Sequence, residues 1–409
     1  MLPIGLLTEH GRQVKQYFAD LHIHVGYSSN GQPVKISAAR NLTVENILKE
    51  CNARKGINIA GIVDCASPLV YRDIDKLINN SILVPQKNGG LMYEQNLCLL
   101  LGTEIETVED NGRCGHSISF FSDIETLKKF SLVMKKYIKN INLSSQRAHL
   151  KAAQFFDIVK SFGGEFVPAH IFSPHKSYYG NCTDRLHKLF GTDRMNRIHA
   201  IELGLSADSD MADTITELAD KTFLSNSDAH SLSKIAREYN IIQLKQLNFT
   251  EFVMALKRIE ERKVVCNYGI DPELGKYHRT YCINCGWKNE FDKQIIFCKK
   301  CGETKKVVVG VYDRIQNIKD VEQTIHPEHR PKYIKQIPLE FIPGVGKSKV
   351  DKLIHEFGNE MNVLHKVSTE DIARVVGELT AKYIALARAG RLEFEKGAGG
   401  VYGKIKTAL

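Results

Sequence analysis

At 409 residues the chain exceeds one ordinary core, so one large domain with one or two small ones is expected. Hydrophobic content of 43% and charged content of 25% fit a globular protein in water, and no apolar run is long enough to span a bilayer, which excludes a helical membrane protein. A net charge of +9 favours a polyanionic partner, although solubility alone explains it equally well.

The first residues, MLPIGLLTEHGR, carry no basic segment before their apolar stretch and make a poor signal peptide, so a cytoplasmic location is expected. From Phe18 to about Val265, β-rich runs alternate with helical patterns. The runs are FADLHIHV, INIAGIVD, LCLLLGTEIE, HSISFF, EFVPAHIF, IHAIELGL and TFLSNSDAH. Between them lie LTVENILKECNARK, SSQRAHLKAAQFFDIVKSFGG and MADTITELADK. Such alternation predicts an α/β fold with a parallel sheet, closed as a barrel or open.

Residues that can hold metals cluster at the C-terminal ends of these runs, where β/α barrels build their active sites. Asp20, His22 and His24 alternate and so share one strand face, with Asp20 expected to orient an imidazole. Asp64, Glu104, His170 and Asp228 lie at or near later ends, and His116, which opens HSISFF, and His230 complete the set. Imidazole with carboxylate suits Zn, Mn or Fe, and Glu104 could bridge two ions about 3.5–4 Å apart, the spacing of phosphoryl-transfer sites.

The character changes after Cys266. Cys282, Cys285, Cys298 and Cys301 form two C-x2-C pairs separated by twelve residues, and a glycine follows each pair. That is the spacing of a zinc ribbon with one structural zinc. Trp287, Lys299, Lys300, Lys305 and Lys306 suit contact with a nucleic-acid backbone, or simply a solvated face. VVVGVYDRI reads as a strand and IHPEHRPKYIKQIPLEF as a linker. FIPGVGKSKVDKLIHEFG resembles a helix-hairpin-helix motif, whose helix start binds a DNA phosphate at Gly344, Gly346 and Lys347. The expected domains are therefore 1–268, 269–325 and 326–409.

Six short motifs in order, DLHIH, VDC, GTE, GHS, PAH and SDAH, resemble the polymerase and histidinol phosphatase (PHP) family. The resemblance implies a distorted (β/α)7 barrel. It implies one metal on His22, His24, Glu104 and Asp228, and a second on Glu104, His116 and His170. Asp228, His230 and His24 would be catalytic, with Asp64 a further ligand. Asn30, Cys65 and His230 stand where the family places ligands to a third ion, so a third is expected only as zinc on a cysteine thiolate. Mg or Mn could serve beside Zn in the barrel.

A PHP barrel followed by a zinc ribbon and a helix-hairpin-helix resembles the endonuclease Q family. That likeness implies nicking of DNA on the 5′ side of uracil, hypoxanthine, xanthine and abasic sites. A flipped base would be walled by Phe172, Ser173, Lys176, Tyr178, Tyr179 and Asn226. The implied partners are damaged single- or double-stranded DNA, and a sliding clamp or other repair proteins. The alternative is a small-molecule phosphatase of the histidinol-phosphate kind, which would not need the C-terminal modules.

Overall fold

The computed structural model describes residues 13–291, 295–397 and 399–406; the signal-peptide reading concerned residues 1–12, which lie outside the described residues. The first strands in chain order are β1 (Lys15–Ile23), β2 (Ile59–Ile62), β3 (Leu83–Pro85), β4 (Leu91–Tyr93), β5 (Leu97–Val108) and β6 (Cys114–Phe121). They are followed by β7 (Glu165–Pro168), β8 (Ala200–Glu202), β9 (Thr222–Leu224), β10 (Tyr239–Leu244) and β11 (Lys263–Gly269). Then come β12 (Tyr281–Cys282), β13 (Val307–Val308) and β14 (Lys332–Lys335).

Ten strands form a central mixed sheet in the order β14-β11-β10-β1-β2-β5-β4-β3, with β6 on β5 and β7 on β6. The parallel centre is β1-β2-β5. β5, β6 and β7 run antiparallel instead of in strict strand–helix alternation. Residues 109–113 are too few for a crossover; they turn at Gly112, whose φ of +73° suits a hairpin. β8 and β9 form a separate parallel pair. His24 N–H donates to Ala229 O and Ala229 N–H to His22 O, both at 3.1 Å, which ties the segment after β9 to the end of β1.

Side chains alternate between two cores, as the two-residue strand period requires. Leu99 and Leu101 of β5 face the outer core with the helices Pro68–Asn79, Ile124–Met134 and Ala152–Ser161. Cys98 and Leu100 face a smaller inner core. The inner core draws Leu21, Ile59, Ile118, Val167, Ala200 and Leu224 from the other strands around it, and the helix Phe249–Lys257 adds Phe252 and Leu256.

Four expectations need correction. SSQRAHLK is not helical: the helix starts at Ala152, and Ser144 N–H donates to Val34 O, carrying the preceding loop to the sheet rim. MADTITELADK gives only the short turns Ser209–Ala212 and Thr216–Leu218, because Asp213 between them is drawn into a buried ion pair with Arg330. In VVVGVYDRI only Val307–Val308 is strand; Gly310 then caps a helix, Val311–Ile318, that buries Val311, Ile315 and Ile318 on one face. The expected linker supplies β14, which pairs in parallel with β11 at the sheet edge.

The C-terminal helices Lys347–Phe357, Glu360–His365, Thr369–Val376 and Glu378–Arg388 dock on the sheet domain. A buried Lys55–Glu360 pair (2.9 Å) and a Tyr239–His365 hydrogen bond (2.7 Å) hold them there.

Glu238, beneath this sheet, yields a stability prediction. Its Oε1 accepts from Ile270 N–H at 2.9 Å, its Oε2 has no hydrogen-bond partner, and burial pushes its carboxyl up from 4.5 to about 8. Above pH 4.5 the unfolded chain releases a proton that the native state keeps. The native state therefore loses stability steadily up to about pH 8 and no further. Glu238→Gln is expected to flatten that slope and to stabilise the protein by on the order of 2–4 kcal/mol at pH 8, with little effect at pH 4. Urea melts at several pH values check this.

Candidate metal centre

The rim at the ends of β1, β2, β7, β8 and β9, with Glu104 from within β5 and His116 from near the start of β6, gathers imidazoles and carboxylates around one cleft of about 470 Å³. His22 leaves β1 fully buried, and its Nδ1 lies 3.0 and 3.1 Å from the two Glu202 carboxylate oxygens. His24 Nδ1 lies 3.0 Å from Asp64 Oδ2. Each carboxylate fixes its imidazole so that Nε2 points inward, the arrangement that prepares a histidine to ligate a metal. His22 Nε2 has no hydrogen-bond partner although it is buried, and faces Glu104 at 3.5 Å and Asp228 at 3.6 Å. His24 Nε2 lies 3.4 Å from Asp228 and 3.6 Å from Glu104.

Glu104 stands between two groups. Its Oε1 is 2.8 Å from His116 Nδ1 and 3.2 Å from His170 Nε2, while Oε2 faces His24 and Lys35. Ligand atoms within 4.8 Å of one another occur in three sets among the described residues: His22, His24 and Asp228; Glu104, His116 and His170; and the four cysteines. These donors fit divalent ions, because the orphaned inward nitrogen of His22 and the crowded carboxylates lack another cation of sufficient charge.

The electrostatics agree. Burial opposes the charge on His22, but Glu202, Asp228 and Glu104 outweigh it and raise the imidazole to about 10. Burial likewise opposes ionisation of Glu104 and Asp228. His116 and Lys35 around Glu104, and His22 and His24 around Asp228, hold both carboxyls well below the usual range. His170 and Asp228 adopt left-handed backbone, with φ of +28° and +46°. Non-glycine residues rarely do so, at a cost of roughly 1–3 kcal/mol each. Gly204 makes room for one of them, since a Cβ there would lie 2.9 Å from that of His170.

Other expected residues fall elsewhere. Asp20 orients no imidazole; it is buried and accepts the Ser227 and Ala236 N–H groups at 3.1 and 2.8 Å. Asp64 stands behind His24, outside the three ligand sets. His230 borders the cleft, its Nδ1 3.0 Å from the Asp228 carbonyl, and burial and His24 lower its imidazole to about 4. Cys65 is buried with its thiol directed to Ile62 O at 3.1 Å, and Asn30 is exposed and accepts from Ser28; neither joins a ligand set. Sequence reasoning missed Glu202, whose signal was a carboxylate inside the apolar run IHAIELGL, at the end of β8. It also missed Glu106, 3.5 Å from His116 Nε2, which alternates with Glu104 along β5.

The expected base wall divides. Phe172, Ser173, Lys176 and Asn226 line the cleft. Tyr178 and Tyr179 do not, because both are fully buried: Tyr178 bonds Ser117 at 2.6 Å, and Tyr179 stacks on Phe172 at 5.4 Å and donates to Glu217. Asn226 donates to Glu202 and accepts from Leu21 N–H, so it braces the rim. Lys276, Tyr277 and Tyr402, from the C-terminal part of the chain, close the far side.

A protein of Bacillus subtilis, the uncharacterized protein YqxK, is 43% identical over 396 residues, covering 96% of this chain and all of that one. The crystal structure of the lesion-specific endonuclease PfuEndoQ from Pyrococcus furiosus superposes with a TM-score of 0.80 at 31% identity, covering 96% of this chain and 95% of the other. The chain belongs to the endonuclease Q family. A second endonuclease Q structure, bound to a 27-mer duplex with an abasic lesion at the active site, matches equally at 0.80 and 30% identity over 96% and 97% of the two chains. Protein-family models give no match.

The cysteine cluster of this family member has the spacing of a four-coordinate ion site. Cys282 and Cys301 Sγ are 3.8 Å apart and Cys285 and Cys298 Sγ 3.4 Å, near the roughly 3.8 Å edge of a tetrahedron with 2.3 Å zinc–sulfur bonds. Gly286 and Gly302, both at φ +72°, close the two knuckles. Lys299, Lys300, Lys305 and Lys306 are exposed around them. At the expected hairpin, Gly344 turns the chain at φ +76°, Gly346 caps the helix Lys347–Phe357, and open space surrounds Gly346.

Glu202→Gln is expected to lower kcat about 10- to 100-fold, the range for losing a partner that orients a metal-binding histidine. Circular dichroism should be unchanged; a kcat within twofold of native would separate Glu202 from the reaction.

Proposed function

We propose that this chain cuts DNA on the 5′ side of deaminated bases (uracil, hypoxanthine, xanthine) and of abasic sites. That it is a metal-dependent DNA endonuclease follows from its family. The observation that carries the site assignment is Glu104 between two ligand sets in a single cleft. His22, His24 and Asp228 would hold one divalent ion and Glu104, His116 and His170 the other, with zinc on the four cysteines. Such ions supply Lewis acidity toward the phosphate and a water made acidic enough to attack near neutral pH.

The chain's own residues do the positioning. Glu202 and Asp64 lock the tautomers of His22 and His24. Asp228, whose side chain is 33% exposed, sits where a phosphodiester would enter, and with His230 it would orient the nucleophile. Phe172, Ser173 and Lys176 form the wall against which a flipped nucleotide would rest. Gly344, Gly346 and Lys347 would take a backbone phosphate at a helix start. We read the ring of strands around the inner core as the distorted seven-stranded PHP barrel. DNA is the expected partner, a sliding clamp a further one, and the cytoplasm the expected compartment. Among the described residues no helix is long and apolar enough to cross a membrane.

Labelled duplexes, one per lesion, incubated with Mg or Mn and read on a sequencing gel, test the reading. Nicks 5′ to the lesion are expected. Hydrolysis of histidinol phosphate with intact lesion duplexes would favour the phosphatase instead.

A further inference from the structure

We propose that Lys35 is a catalytic residue whose ammonium receives a non-bridging oxygen of the scissile phosphate. The proposal rests on the endonuclease reading above and adds a residue that no motif of the sequence marks. Val34 N–H donates to Gly26 O at 2.8 Å and Lys35 N–H to Val25 O at 3.0 Å, so this stretch folds back along the segment that follows His24. Gly26 also lets the chain at residue 39 approach the same segment, since a Cβ there would fall on the Ala39 carbonyl.

The fold-back sends the lysine stem inward. Its Nζ reaches 2.6 Å from Ser145 Oγ, 3.3 Å from His24 Nε2 and 3.6 Å from Glu104 Oε2, with the side chain only 16% exposed. Ser145 also bonds Glu104 and holds a left-handed backbone at φ +47°, while Ser144 N–H ties that loop to Val34 O at 2.8 Å. Two loops thus clamp one ammonium beside both ligand sets.

A lysine free to choose would extend into water and keep its rotamer entropy. The other cations lining the cleft are held by groups outside the ligand atoms. Lys176 pairs with Glu106 at 3.0 Å, and Lys234 pairs with Glu340 at 2.5 Å. Arg237 donates to the carbonyls of Ser227 and Asp228, and Lys276 lies over the Tyr277 ring. Lys35 instead points at the ligand cluster. Phosphoryl transfer spreads negative charge over the non-bridging oxygens, where a fixed ammonium in a narrow cleft is most effective. Lys35 forms no bond to phosphorus and moves no proton in this role.

The test compares the native chain with Lys35→Ala and Lys35→Arg, measuring kcat and KM on a lesion duplex and Mn²⁺ affinity by titration calorimetry. For Lys35→Ala, kcat is expected to fall about 10- to 100-fold with KM within about threefold. Mn²⁺ affinity should be equal or tighter, because the lost ammonium repels a neighbouring cation. Lys35→Arg should recover part of kcat. A kcat within about threefold of native in Lys35→Ala overturns the proposal while leaving the endonuclease reading intact. A tenfold loss of Mn²⁺ affinity also overturns it, since Lys35 would then be building the site. A native chain that cuts no lesion duplex overturns both readings.

Discussion

Asp228→Asn is expected to abolish nicking, lowering kcat by at least about 10³-fold, while duplex binding stays within about twofold of native. The reason is charge at fixed shape. Asp228 Oδ1 lies 3.4 Å from His24 Nε2 and 3.6 Å from His22 Nε2, and it is the carboxylate of that ligand set. Asparagine keeps the volume and the carbonyl oxygen but removes the anion that a divalent ion requires. A 10³-fold loss corresponds to about 4 kcal/mol of transition-state stabilisation, the scale on which losing a metal acts. The phosphate contacts proposed at Gly344, Gly346 and Lys347 lie outside this carboxylate, so affinity should survive. Single-turnover kinetics, a gel-shift assay and metal analysis check the three parts separately. Nicking at near-native rates would remove Asp228 from the reaction.

The second large effect concerns the ribbon. Cys298→Ser is expected to remove one zinc per chain and to unfold the ribbon, leaving the sheet domain's metal content and main melting transition in place. Among the described residues the ribbon's regular structure is two strands of two residues each, Tyr281–Cys282 with Val307–Val308. So little chain cannot bury a core, and metal binding supplies the folding energy, on the order of 10 kcal/mol for such sites. Elemental analysis and limited proteolysis check it: cleavage should concentrate between Tyr281 and Val308. Unchanged zinc content would show that these thiols hold no zinc. With the zinc lost and the ribbon unfolded, the exposed lysines around the knuckles would be displaced, so duplex affinity should fall and its salt dependence weaken.

Much of the fold was legible because its signals are local. Seven β-rich runs hold the strands around the inner core, since two-residue alternation and β-branched content are properties of a few neighbouring residues. Two of the misreadings come from a tertiary partner overriding local preference, and a third from a local helix cap. Arg330 captures Asp213 and interrupts the helix expected in MADTITELADK. The edge of β11 recruits Lys332–Lys335 from what reads as a linker. Gly310 turns an apolar run into a helix start.

The site divides the same way. Residue types at strand ends marked His22, His24, His170 and Asp228, and Glu104 and His116 were marked within their runs; the structure brings all six together. Asp20 was misjudged because strand alternation tells which face a side chain takes, not what waits there; backbone N–H groups of Ser227 and Ala236 do. Tyr178 and Tyr179 sit in a loop that reads as open but packs inward on Ser117, Phe172 and Glu217.

The sequence by itself determined the elements of chemistry: paired histidines on one strand face, carboxylates at strand ends, and two cysteine knuckles at ribbon spacing. These survive as local facts because spacing along one strand or turn fixes geometry over a few ångströms. Only the tertiary structure decided which carboxylate backs which imidazole. Glu202 reaches His22 across 180 positions and Asp64 reaches His24 across 40. It alone placed the Lys35 ammonium within 3.6 Å of Glu104. Long-range contacts of that kind depend on strand order and loop closure, which no short stretch of sequence encodes.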